Sequence, residues 1–127
     1  MIDASSGLFC NPLGHGRREI TEAVSKQLEQ LDYCQPFQQG FGGSFELATQ
    51  IARHTPGNLN RIFYTICGST AVETAIKISI AYHRAKGDGQ RFRFIGRERG
   101  YHGMNIGAVS VGGMVNNIKT FASILMP

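Results

Sequence analysis

The segment that most constrains the fold is a turn of small residues, Cys67-Gly68-Ser69-Thr70, placed between two apolar stretches. The stretch before it, residues 59–66, is almost continuously apolar, which is typical of a β-strand covered on both faces in a parallel sheet. The stretch after it, residues 71–85, carries apolar side chains at helical spacing and on further sides of the helix. The sequence therefore predicts a strand, a tight turn and a well-buried helix in succession.

The turn itself is suited to holding an anion. The first N–H groups of a helix have no intrahelical acceptor and lie at the positive end of the helix dipole, so they can bind a phosphate. Thr70 and Glu73 have the spacing of a capping box, which favours a helix start at this point. Spacing alone also allows an ordinary capped helix, and Cys67 is either a thiol of lowered pKa or a buried, inert one.

The elements around this segment indicate the α/β fold class. Residues 91–95 predict a second strand after the turn at 87–89, so strand, helix and strand form one βαβ unit with a right-handed crossover. Upstream, helical spacing predicts an amphipathic helix (Ile20, Val24, Leu28, Leu31) and a second helix that ends before Pro56 (Phe45, Ala48, Ile51, Ala52). We expect residues 2–10 to be extended, residues 35–43 to form a loop and residues 105–113 to form a helix.

Composition narrows the class of protein. The chain has 127 residues and a net charge of +4, with its densest basic stretch at Arg91, Arg93, Arg97 and Arg99. Because Arg91 and Arg93 alternate with phenylalanines, a solvated strand edge is favoured over a nucleic-acid patch, which stays an alternative. The three cysteines lack the spacing of a zinc site and fit a reducing cytoplasm. No apolar run approaches the roughly 20 residues of a membrane helix, and no secretory signal pattern is present.

A second candidate element follows the second predicted strand. Tyr101-His102-Gly103 comes directly after residues 91–95, as the small-residue turn comes after residues 59–66. In open α/β sheets, ligands bind beyond the carboxyl ends of the strands, so both loops belong at one sheet edge. There the turn could hold a phosphate while Tyr101 offers an aromatic face.

These motifs are part of a resemblance that covers essentially the whole chain. The loop Arg97-Glu98-Arg99-Gly100-Tyr101-His102-Gly103 resembles the signature loop of class III, pyridoxal-phosphate-dependent aminotransferases, most closely the ω-amino acid–pyruvate (β-alanine–pyruvate) transaminase group. Further segments resemble the family in the same order: 6–10, 14–20, 31–33, 36–38, 45–48, 55–57, 59–61, 109–113 and 115–117. Two positions of the small-residue turn depart from the family pattern, since Cys67 stands for a serine and Thr70 for a glutamate.

The resemblance implies roles for particular residues. Backbone N–H groups of Gly68 and Ser69, with Thr70 beside them, would hold the phosphate of pyridoxal 5′-phosphate. Tyr101 would stack on the pyridine ring, and His102 would sit close behind it. For the substrate, Phe9 would line the pocket where the family usually has a tryptophan, and Phe37 would line a neighbouring site across the dimer.

The resemblance also implies an architecture. Fold-type I enzymes have a large α/β domain, a smaller flanking domain, and active sites at a dimer interface. Residues 1–43 would then be an N-terminal interface segment with small-domain helices, and residues 44–127 part of the cofactor-binding large domain. We expect a homo-oligomer that takes an amino donor and pyruvate as substrates, and we expect neither nucleic acid nor a membrane as a partner.

Transamination needs a lysine that binds the cofactor covalently, and none of the four lysines, Lys26, Lys77, Lys86 and Lys119, matches the family's. We therefore expect the chain to be an N-terminal part of a transaminase that does not turn over alone. Two other functions stay open: a non-catalytic phosphate-binding or oligomerisation module, and a basic nucleic-acid-binding protein.

Overall fold

The computed structural model describes residues 2–126, which divide into two compact units with the boundary between Ile62 and Phe63. The outermost residues of the two predicted segments, at positions 1 and 127, lie outside the described residues. The predicted division between residues 43 and 44, which separates an interface segment from a cofactor-binding domain, stays a prediction. Each unit is described by itself.

The first unit begins with a left-handed turn. α1, Ser6–Phe9, has φ between 53° and 67° at all four residues. Asp3 supports the entry to this turn, because its carboxylate accepts hydrogen bonds from the N–H groups of Ser5 (3.0 Å) and Gly7 (2.7 Å). The expectation of an extended segment over residues 2–10 is therefore wrong: local bonds to an aspartate side chain compete with an extended backbone.

Two helices complete the first unit and confirm the spacing-based predictions. α2 spans Arg18–Gln30, and α3 spans Gly42–Ala52. α3 starts inside the predicted loop of residues 35–43, because Phe41 is its N-cap and Gly42 and Gly43 form its first turn. The apolar residues of α2 are about half exposed, with Val24 at 52% and Leu28 at 55%.

The second unit is built on one long helix. α4 spans Gly68–Ala85, and α5, Ile106–Ser110, packs against both α4 and α6, Val115–Phe121. A 3-10 turn, Ala122–Ile124, follows α6. Buried apolar side chains at the α4–α5 contact, Ile76, Ala108 and Val109, form the core of this unit. None of the helices within residues 2–126 combines the length and the apolarity that crossing a membrane requires.

The two predicted strands lack pairing partners. Within residues 2–126 no residue is assigned to a β-ladder, so residues 59–66 and 91–95 are chain without strand hydrogen bonds. Their apolar side chains are also uncovered: Phe63 is 70% exposed, Ile66 94% and Ile95 98%. The reason is physical, because a strand exists only through bonds to a neighbouring strand, and the described residues supply none for these segments.

The predicted burial of α4 is wrong for the same reason. Ile76 is its one buried residue among those described, whereas Ile78 is 53% exposed. A helix that crosses over a sheet is covered by that sheet, and the apolar positions of α4 outside the α5 contact have no such cover here.

Candidate functional site

The N-terminus of α4 presents backbone N–H groups that have no acceptor within the helix. Cys67 is the N-cap in an extended conformation, and the first intrahelical bond runs from the Ala71 N–H to the Cys67 carbonyl at 3.0 Å. Gly68, Ser69 and Thr70 are thus the first three helical residues, whose N–H groups have no acceptor within the helix. No acidic residue lies in this first turn, so no carboxylate offsets the positive end of the dipole.

The predicted capping box does not form. α4 begins at Gly68, three residues before the predicted start, and no side chain caps it. The Thr70 hydroxyl lies 3.4 Å from the Cys67 sulfur instead, and the Glu73 carboxylate packs toward Gly107. The backbone donors at this turn are therefore not occupied by the side chains that spacing assigned to them.

Cys67 is an exposed free thiol, so the interpretation of a buried, inert cysteine is wrong. Its pKa lies below the usual range of a thiol, first because the Thr70 hydroxyl hydrogen-bonds to the sulfur and then because the Thr70 N–H does so. Both donors stabilise a thiolate, and the lowered-pKa interpretation is confirmed. The same donors that favour a thiolate here would favour any other anion at this turn.

The loop that bears Tyr101 meets this turn directly. The Met104 N–H donates to the Ser69 hydroxyl oxygen at 3.0 Å, across 35 positions of sequence. Gly103 is buried against Ser69 with φ at +120°, and a Cβ at this position would lie 2.5 Å from the Ser69 Oγ and 2.7 Å from its Cα. The predicted convergence of the two loops is therefore present in the second unit.

The base of the Tyr101 loop is fixed by backbone bonds. The Arg99 N–H donates to the Gly113 carbonyl (3.3 Å), and the Gly113 N–H donates to the Gly100 carbonyl (2.7 Å). Tyr101, which follows Gly100 in this loop, is 62% exposed and lines a narrow cleft together with His102 and Asn117. His102, which is also exposed, faces a second, open groove whose walls include Ile76 and Phe94. Together the cleft and the groove offer an aromatic face and an imidazole in the loop that contacts the first turn of α4.

Donors for an anion and an exposed aromatic ring are what a phosphorylated aromatic cofactor such as pyridoxal 5′-phosphate requires, so the residues present fit that group. The turn is also uncrowded at Gly68, because a Cβ added there would meet no atom of the described residues within 4 Å.

The remaining residues of interest are not among those that line the cleft or the groove around His102. Phe9 and Phe37 belong to the first unit, where they are 86% and 71% exposed, and their assignment to the substrate pocket stays a prediction. Lys77 lies on α4 and Lys119 on α6, and among residues 2–126 no lysine lines the cleft or the groove around His102. Among the described residues, no group of His, Cys, Asp and Glu side chains could hold a metal ion.

Sequence reasoning missed the contact between Ser69 and the segment after Tyr101. The only available signal was the placement of small residues at 69 and 103, which allows a close approach of two backbones but does not specify one.

Comparisons with known proteins match this chain to one family. The family model described as Aminotransferase class-III matches residues 1–127. The omega-aminotransferase of Caulobacter vibrioides is 49% identical over 125 residues, which are 98% of this chain and 28% of that protein. The omega-amino acid–pyruvate aminotransferase of Pseudomonas putida is 50% identical over 121 residues, which are 95% of this chain and 27% of that protein.

Solved structures agree with these matches. The crystal structure of the adenosylmethionine-8-amino-7-oxononanoate aminotransferase from Methanocaldococcus jannaschii superimposes with a TM-score of 0.93 at 38% identity, over 98% of this chain and 28% of that one. The predicted fold class, a part of this α/β fold, is thereby confirmed. The chain spans under a third of the length of these relatives.

Proposed function

The chain belongs to the class-III aminotransferase family, and on that premise we propose that residues 68–70 and 101–102 are the cofactor-binding part of an ω-amino acid:pyruvate transaminase. The recognition of this family from the sequence is confirmed. Class-III aminotransferases depend on pyridoxal 5′-phosphate. The observation that carries the proposal is the hydrogen bond from the Met104 N–H to the Ser69 hydroxyl, because it brings the anion-binding turn and the aromatic loop together.

Each group has a defined task in this proposal. The N–H groups of Gly68 and Ser69 hold the phosphate, and the Thr70 hydroxyl stands beside them. Tyr101 packs its exposed face on the pyridine ring. His102 lies close behind the ring, on the side of the neighbouring groove. The cofactor, when bound, supplies an electron sink for the amino group that is transferred, and these residues bind and orient it.

The binding part alone has no group for the covalent step. No lysine in the described part of the chain lines the cleft or the groove, so a polypeptide of these 127 residues should bind the cofactor weakly and transfer no amino group. Formation of alanine from pyruvate by that pure polypeptide, with an ω-amine as the amino donor, would contradict this. The same observation favours the second candidate, a non-catalytic phosphate-binding module, for these residues in isolation.

Substrates, assembly and location are part of the proposal. An amino donor and pyruvate are the substrates, as the name of the Pseudomonas putida relative states for that protein. A homo-oligomer is the assembly, since apolar side chains such as Phe63 and Ile66 lie uncovered. The cytoplasm is the compartment, since all three cysteines are free thiols.

The phosphate assignment is testable with a ligand that cannot react with lysines. Pyridoxamine 5′-phosphate lacks the aldehyde of the cofactor and is fluorescent, so its anisotropy reports binding to the 127-residue chain directly. We expect it to bind more tightly than pyridoxamine, which lacks the phosphate, and we expect inorganic phosphate to compete with it. Equal affinity for the two ligands would contradict a phosphate site.

A matched pair of substitutions tests the donors themselves. Gly68→Pro removes the N–H at the first helical position, where proline is well tolerated, and Gly68→Ala keeps the N–H and places a methyl group in open space. Because a hydrogen bond to a charged group contributes about 1.5–3 kcal/mol, the proline variant should bind about 10- to 100-fold more weakly. The alanine variant should bind like the unaltered chain. Equal binding by both variants would remove Gly68 from the site.

A further inference from the structure

The contact between α4 and the segment after Tyr101 has a regular arrangement. Ser69 and Glu73 are four residues apart on α4 and therefore lie on one face of the helix. Gly103 and Gly107, also four residues apart in sequence, each lie against one of them: Gly103 against Ser69 and Gly107 against Glu73. Both glycines are buried. The four residues form a two-point contact, which we call the clasp.

At the first point the contact is backbone to backbone. A Cβ on Gly103 would lie 2.7 Å from the Ser69 Cα as well as 2.5 Å from its hydroxyl oxygen, so no side-chain movement could make room for it. The φ of +120° at Gly103 independently excludes other residues. The Met104 N–H then reaches the Ser69 hydroxyl at 3.0 Å.

At the second point the contact is backbone to side chain. A Cβ on Gly107 would lie 2.6 Å from the Glu73 Oε2 and 3.1 Å from the Ile76 Cδ1, which are the ends of flexible side chains. The Glu73 Oε2 atom is buried and has no hydrogen-bond partner among the described residues. This point therefore holds α5 close to α4 by packing, whereas the first point adds a directed hydrogen bond.

We propose that Ser69 is a positioning residue: its hydroxyl accepts a hydrogen bond from the Met104 N–H and so holds the Tyr101–His102 loop next to the first turn of α4. This role rests on the proposed function, and it differs from binding phosphate, which the backbone N–H of Ser69 performs.

The first test measures the loop without any ligand. Amide hydrogen exchange of the 127-residue chain should show the Met104 N–H protected. Ser69→Ala should raise the exchange rate of this N–H about 10-fold, because its acceptor, the Ser69 hydroxyl, is lost. Ser69→Thr keeps a hydroxyl and should restore the protection. The amide of Val109, which donates to the Asn105 carbonyl at 2.8 Å, is the internal reference and should not change. Unchanged exchange at Met104 in Ser69→Ala would overturn the proposal.

The second test separates positioning from phosphate binding. Ser69→Ala and Gly103→Ala should weaken the binding of pyridoxamine 5′-phosphate about 5- to 10-fold, because its ring contact depends on the loop. The affinity for inorganic phosphate should stay within about 2-fold, because phosphate makes no ring contact. Equal losses for both probes would make Ser69 a phosphate ligand and would overturn the positioning role. Ser25→Ala on α2 and Gly89→Ala, whose Cβ would meet nothing within 4 Å, are the matched controls and should change neither affinity.

The two tests fail independently. If the unaltered chain binds neither probe, the proposed function fails, while the exchange of Met104 still decides whether Ser69 orders the loop. If Gly103→Ala lowers the helical content of the chain, the comparison of Ser69→Ala with Ser69→Thr, both of which leave Gly103 unaltered, carries the test.

Discussion

Among single residues, Cys67 has a thiol whose pKa reports on the hydrogen-bond donors of the turn at the start of α4. Its thiol pKa is held below the usual range first by the Thr70 hydroxyl, so the thiolate persists to lower pH than in an ordinary cysteine. In a Cys10→Ser, Cys34→Ser background Cys67 is the sole thiol, and the pH dependence of its alkylation by iodoacetamide reports its pKa. Thr70→Val should move the midpoint to higher pH, and Thr70→Ser should leave it in place. A midpoint that is the same with valine would contradict the assignment.

Asp3 gives a second prediction for a single group. His15 is the main cause that lowers its pKa, through the contact of the His15 Nε2 with the carboxylate at 2.9 Å, and the N–H groups of Ser5 and Gly7 add to it. Since the folded-state pKa is depressed, the support of α1 is complete above the unfolded-state pKa and is lost as the pH falls through the folded-state value. NMR titration of the Asp3 carboxyl carbon should show this, and His15→Ala should shift the midpoint upward. A midpoint unaffected by His15→Ala would contradict the pairing.

Elements that depend on local spacing were predicted from the sequence, and elements that depend on distant partners were not. α2 and α3 follow from their apolar periodicity, and the N–H groups at the start of α4 follow from the small residues of the turn. The strands over residues 59–66 and 91–95 require pairing partners that the described residues do not contain, and the burial of α4 fails with them. The link from Met104 to Ser69 requires two loops to meet in space, which spacing in one chain does not encode.

The first turn of α4 supports a prediction about helix stability. It contains no acidic residue, and Thr70 stands where the family resemblance places a glutamate. Thr70→Glu should stabilise α4 by about 0.3–1 kcal/mol, because the carboxylate interacts favourably with the helix dipole. The same charge should repel inorganic phosphate and weaken its binding at low salt. Thr70→Gln, of similar size but uncharged, should show neither effect. Thermal unfolding followed by circular dichroism checks the first effect, and an unaltered melting temperature for Thr70→Glu would contradict it.

For the whole molecule, the exposed apolar surface predicts self-association. Only Ile76, Ala108 and Val109 are buried apolar side chains among the described residues, whereas Phe63, Ile66 and others of that size lie open to solvent. Unpaired strand-forming segments add edges that another copy can join. Sedimentation velocity of the isolated 127-residue chain should therefore show species well above its 13.9 kDa. A compact monomer at high concentration would contradict this.

The central claim is that the turn at Gly68 and the loop at Tyr101 converge on one phosphorylated aromatic ligand. The chain contains no tryptophan, so Tyr101→Trp introduces a single reporter at the loop. Tyr82→Trp places the control reporter on α4, about 20 Å along the helix from Gly68. Pyridoxamine 5′-phosphate absorbs where tryptophan emits, so the measurement is quenching of each variant during titration. We predict much stronger quenching at position 101 than at 82, reversed by inorganic phosphate. Equal quenching at both positions, or quenching that phosphate does not reverse, would contradict the account.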